Sequence, residues 1–206
     1  MLRKIAEFLS NGLKSIRLSL EISGTNVAVR RYFFSNSFDG VLTVTGLCLG
    51  AAVAPGTRVS TVVFAGLGAS IAMLVSGFTG IYVTESAETR RRVREIEESM
   101  LRDVSDTIIG RAGLVGPLIA SLIGGLSTFL LSITVLLPYI ASLYIDELQP
   151  YAMFLSPAVG MLLLFVLGMF LGKFSKIEMV KTGLKMLGMG IVTAVMILLM
   201  EMLLNL

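Results

Sequence analysis

Apolar residues gather in five long blocks, and the polar residues fall between them. The blocks cover about 32–54, 60–84, 113–142, 152–172 and 182–204. Each reaches the length of roughly 18 or more apolar residues needed to cross a hydrocarbon core of about 30 Å. The first is closed by Pro55-Gly56, a turn signal. The third contains Pro117 and Pro138. Ahead of them, residues 2–21 follow a different period. At ~100° per residue Leu2, Ile5, Leu9, Leu13, Ile16 and Leu20 share one face, while Arg3, Glu7, Lys14, Arg17 and Glu21 lie opposite. That pattern predicts an amphipathic helix, lying in the membrane interface or packed on the rest of the chain.

Composition supports this division. The chain has 206 residues, 55% hydrophobic and only 15% charged, with mean hydropathy +0.87, whereas soluble domains carry roughly a quarter charged residues. The expected fold is therefore an all-α integral membrane protein: an amphipathic N-terminal segment, 1–26, then a transmembrane domain of five helices, 27–206. The basic residues set its expected orientation. Sixteen of the 17 lysines and arginines fall on one side if the N-terminus is cytoplasmic and the C-terminus outside, leaving Arg58 alone on the other. Short loops and the absence of sorting signals point to a prokaryotic plasma membrane.

The second block has no break at its end. Residues 82–106 continue without Gly or Pro, predicting a charged cytoplasmic helix over 85–112. On its wheel Glu85, Glu88, Glu95, Asp103 and Asp106 align, with Arg92 among them. Two readings follow. The carboxylates collect cations at a cytoplasmic entrance, or the helix is merely solvated and held by pairs four residues apart, such as Glu88 with Arg92 and Arg91 with Glu95.

Candidate chemistry is narrow. There is no histidine and a single cysteine, Cys48, so an intrachain disulfide, thiolate clusters and imidazole chemistry are excluded. Cys48 reads as packing, and an enzyme is the least favoured class. The conspicuous residue is Asp39, inside the opening turns of the first block. Asn36, Asp39, Thr43, Gly46 and Gly50 form one stripe on the wheel. An ionisable residue within a span marks a functional site by default; the competing reading makes Asp39 a cap, with the helix beginning at Val41. On the second block Met73, Ser76 and Gly80 share a side, and a thioether with a hydroxyl can help hold a divalent metal, although methionine also fills gaps. The pairs Gly46/Gly50, Ser76/Gly80 and Gly168/Gly172 suit close helix packing or a dimer.

The stretches 30-RRYFFSNSFDGVLTVTGLCLGAAVA-54 and 66-GLGASIAMLVSGFTGIYVTESAE-88 resemble the first two helices of the vacuolar iron transporter family, with an Asp-Gly pair opening the first span. A looser likeness runs through 124-GGLSTFLLSITVLLPY-139 and 167-LGMFLGKF-174. The resemblance implies a homodimer exporting ferrous iron or a similar divalent metal, such as manganese, from the cytoplasm in exchange for protons. Asp39 then falls on the family's first-span aspartate and Glu88 on the acid at the base of its cytoplasmic helix. Ala69 and Gly77 stand where iron transporters of that family carry glutamate and methionine, Thr128 stands where a proline is frequent, and the segment between spans two and three is short and arginine-rich. The expected site is Asp39, Asn36, Thr43, Met73, Ser76, Glu85, Glu88 and Glu95, handling a transported metal with no permanent cofactor and no nucleic acid partner. The alternative is a structural or interaction protein of the bilayer that binds lipid or a partner through the arginine-rich helix.

Overall fold

The computed structural model describes residues 25–54, 56–101 and 107–204. They form five long helices: α1 (Thr25–Val53), α2 (Val59–Met100), α3 (Ile108–Ala141), α4 (Gln149–Phe174) and α5 (Met179–Leu204), with a 3-10 turn at Asp146–Leu148 before α4. All five are long and apolar enough to cross a membrane. The expected amphipathic helix at 2–21 lies outside the described residues.

Two helices differ from expectation at their ends. α1 begins seven residues earlier than the apolar block, because Arg30 and Arg31 are compatible with helix even though they interrupt the oily pattern. The charged helix expected over 85–112 ends at Met100, where Leu101 takes a left-handed φ of 49°, and a new helix begins at Ile108. Up to that point α2 is unbroken for 42 residues, about 63 Å at 1.5 Å per residue and twice the hydrocarbon thickness. Its polar half lacks helix-breaking residues and is laced by Arg92 to Glu88 at 3.3 Å and Arg91 to Glu95 at 2.9 Å. These are the i,i+4 pairs expected from sequence.

The turns follow their local chemistry. After α1, Gly56 adopts φ +70°, conformational space that glycine enters without a Cβ penalty. After α4, Lys176 takes φ 56° and the Ile177 N–H donates back to the Gly172 carbonyl at 3.0 Å, a Schellman-type closure. Pro150 sits in the first turn of α4, where its missing N–H is no loss.

The chain divides into two compact units: one takes the described residues up to 33 with those of 76–124, the other 34–75 with 125–204. The second unit is packed through small residues. A Cβ on Gly40 of α1 would stand 2.7 Å from Ser132 Oγ and from Thr128 Cγ2 of α3. A Cβ on Gly160 of α4 would collide with Thr45 Oγ1 of α1. Gly168 faces the backbone of Gly183 on α5, where an added Cβ would be 2.7 Å from its Cα. Around these approaches lie Val41, Val44 and Cys48 of α1, Val135, Leu136 and Tyr139 of α3, and Leu164 and Leu167 of α4, all buried. Phe34 and Phe174 close one edge with ring centroids 5.9 Å apart. Hydroxyls in this core mostly donate to the preceding turn, Thr45 to Val41 O at 2.6 Å and Ser132 to Thr128 O at 2.7 Å, so they need no partner from water.

Candidate functional site

Asp39 does not cap a helix. It lies in the fifteenth position of a continuous α1, so the reading in which the span starts at Val41 is set aside. Nor is it enclosed by its own chain. Ser37, Gly40, Val41, Val44, Thr45 and Cys48 are buried, whereas Asp39 and Thr43 are exposed and Asn36 is half-buried. On a wheel of ~100° per residue the buried set centres roughly 170° from Asp39. The reason is the neighbouring glycine: Gly40 admits α3 at backbone distance, and that contact turns the adjacent carboxylate outward. Of the stripe expected from sequence, Asp39 and Thr43 lie on an exposed face of α1, Asn36 is half-buried and Gly46 approaches α5.

The small-residue pairs behave differently from one another. Gly168 and Gly172 both meet α5, Gly172 with Met179 Cα 2.8 Å from where its Cβ would be. Gly46 sits 3.6 Å, on the same measure, from Thr193 Cγ2 of α5, while Gly50 and Gly80 have open space around them. On α2 Met73 is half-buried and Ser76 exposed.

The carboxylates of α2 occupy three distinct environments. Glu95 is exposed and accepts from Arg91 Nε; Glu88 is half-buried and accepts from Arg92 Nε. Glu85 is sealed in, its side chain 5% exposed, and accepts from Arg31 Nη2 of α1 at 3.2 Å. The Arg31 guanidinium also lies 4.9 Å from the Tyr32 ring centroid and donates to the Tyr32 hydroxyl at 3.3 Å. Among the described residues no group of three or more acids or cysteines is gathered to hold a metal ion. Glu85, Glu88 and Glu95 share a helix face, yet each is answered by an arginine.

Arg31 is the residue that sequence reading did not place in the site. It stands 54 positions from Glu85, and its local pattern marks only the edge of an apolar block. Among the described residues the buried Ser37 hydroxyl finds no hydrogen-bond partner, and nothing in the spacing of serines along the chain singles it out.

No protein-family model matches the chain. An uncharacterized protein of Methanocaldococcus jannaschii is 28% identical over 174 residues, covering 83% of this chain and 87% of the relative. The likeness thus extends over most of both chains.

Proposed function

We propose that the protein is a divalent-metal exporter of the membrane, akin to the vacuolar iron transporters, moving ferrous iron or manganese out of the cytoplasm against protons. The observation that carries the reading is Asp39: a carboxylate in the interior of an otherwise apolar helix, on an outward stripe with Asn36 and Thr43. An ionised group presented to lipid is expensive and is kept where it serves an ion path. A second copy of the chain covering this face would give the carboxylate polar company, which is why the working unit is proposed to be a homodimer. In this reading Asp39 alternates between cation and proton, Asn36 and Thr43 supply neutral oxygen ligands of the kind hard and borderline cations accept, and Met73 assists from α2. Glu85, Glu88 and Glu95 form the cytoplasmic approach, with the N-terminus inside a prokaryotic plasma membrane and the C-terminus outside.

The decisive measurement is manganese and ferrous-iron flux in proteoliposomes under an imposed pH gradient. The parent is expected to transport and Asp39→Asn to lose at least about tenfold, the size of one lost strong interaction. Equal rates would remove Asp39 from the coupling step.

A second reading is favoured by one observation, the pairing of Glu85, Glu88 and Glu95 of α2 with arginines. In it the protein is a non-transporting membrane component whose arginine-rich helix engages anionic lipid or a protein partner. Flux absent from the parent, with binding to vesicles containing anionic lipid that weakens as salt is raised, would favour it.

A further inference from the structure

The Arg31–Glu85 pair is lopsided. The Glu85 side chain is 5% exposed and the Arg31 side chain 64%. Arginine can withdraw into water and recover its hydration, giving up the Tyr32 ring it rests against while paired. Glu85 cannot follow, since its carboxylate is enclosed at the point where α2 leaves its apolar half. Once Arg31 leaves, Glu85 keeps only the neutral Tyr32 hydroxyl and needs another positive charge, because a buried carboxylate without a counter-charge is strongly disfavoured. Glu88 and Glu95 lack this property: their partners come from their own helix and both remain open to water.

We propose that Arg31 is a tethered cation occupying a cation site at Glu85, and that a hydrated divalent ion of the manganese or ferrous class binds there by displacing it. The pair is then an exchangeable latch between α1 and α2: arginine in place when the ion is absent, arginine swung to water when it is present. Neutral and anionic ligands cannot substitute, because the vacancy is a charge and not a volume. A divalent ion satisfies the carboxylate while keeping waters on its outer side, as such ions do at sites with a single protein carboxylate. The inference draws on the transport reading only in taking divalent metal as the natural ligand; the competition itself follows from geometry and burial.

The test is manganese titration of the purified full chain in detergent, followed by calorimetry or the manganese paramagnetic signal. Arg31→Gln is expected to bind manganese about tenfold or more tighter than the parent, within the ordinary range of coupling between sites. Arg31→Lys is expected to stay near the parent, since it keeps a tethered charge. Adding Glu85→Gln to Arg31→Gln is expected to abolish the gain. Unchanged affinity in Arg31→Gln, or a gain that survives Glu85→Gln, overturns the proposal. Should Arg31→Gln fail to fold, Glu85→Gln in the otherwise unaltered chain decides it: weak saturable manganese binding present in the parent and lost in the variant supports the site, and binding equal in both, or absent from the parent, overturns it. Tighter binding by Arg31→Gln alongside absent flux in vesicles would sink the transport reading and leave the latch standing. Intact flux with no change in affinity would do the reverse.

Discussion

Three kinds of charge occur on α1 and α2, and burial separates what each is worth. Arg91–Glu95 is a water-exposed pair within one helix, 73% and 59% exposed, and such pairs stabilise by only about 0.2–0.5 kcal/mol. Arg91→Ala is therefore expected to change stability by no more than about 0.5 kcal/mol, an effect that added salt erases; a detergent denaturation series at low and high ionic strength checks this. Glu85 is different in kind. Its hydrogen bond to a charged donor is buried on one side, so losing Arg31 leaves a buried carboxylate without its counter-charge and costs about 1–3 kcal/mol. Asp39 is different again, a carboxylate on the outward face of an apolar helix, where the surroundings beyond the protomer decide its cost.

At the scale of helices, the contacts are made by removing side chains. Gly168 lets α5 approach α4 until only backbone separates them, and Gly160 makes room for Thr45 between α1 and α4. In lipid there is no hydrophobic drive between helices, so close van der Waals contact carries association. Gly168→Ala is expected to destabilise by about 1–3 kcal/mol through overpacking, because the opposing atoms are backbone and cannot rotate away. Gly50→Ala and Gly188→Ala, each with open space around the added carbon, are expected to be neutral or slightly stabilising as better helix formers. Unfolding in mixed detergent micelles ranks the three. Comparable losses in all three would show that the glycines are matched to lipid and not to one another. The length of α2 is the other element-level result. It outlasts the membrane because intrahelical ion pairs replace lipid burial as its support.

For the molecule as a whole, the apolar exterior is ordinary for a chain whose solvent is lipid. The last helix is the extreme case, with Met196, Leu199, Met200 and Leu203 all outward and exposed. The polar stripe of Asn36, Asp39 and Thr43 interrupts that exterior, and it gives the proposed dimer a test. Cys48 is the sole cysteine and is fully buried, so Thr43→Cys adds one reactive thiol on the stripe. A symmetric pair meeting along α1 is expected to trap Thr43→Cys as a disulfide-linked dimer under mild oxidation, while the parent stays monomeric on a denaturing gel. Failure to cross-link, with the new thiol readily labelled by a membrane-permeant maleimide, would argue that this face meets lipid.

Sequence by itself determined that there are five apolar helices, because a run long enough to cross lipid must satisfy its own backbone, and only helix does that within one segment. It also determined the i,i+4 pairs on α2 and the grouping of Asn36, Asp39 and Thr43 on one side of α1, since helical periodicity alone fixes which residues share a face. Which way that side points was a tertiary matter. The backbone approach at Gly40 turned the buried face toward α3 and sent Asp39 outward, and no local rule connects a glycine to residues 128 and 132. The pairing of Glu85 with Arg31 was equally beyond sequence, because it joins residues 54 positions apart whose local patterns promise only a helix face and a membrane edge.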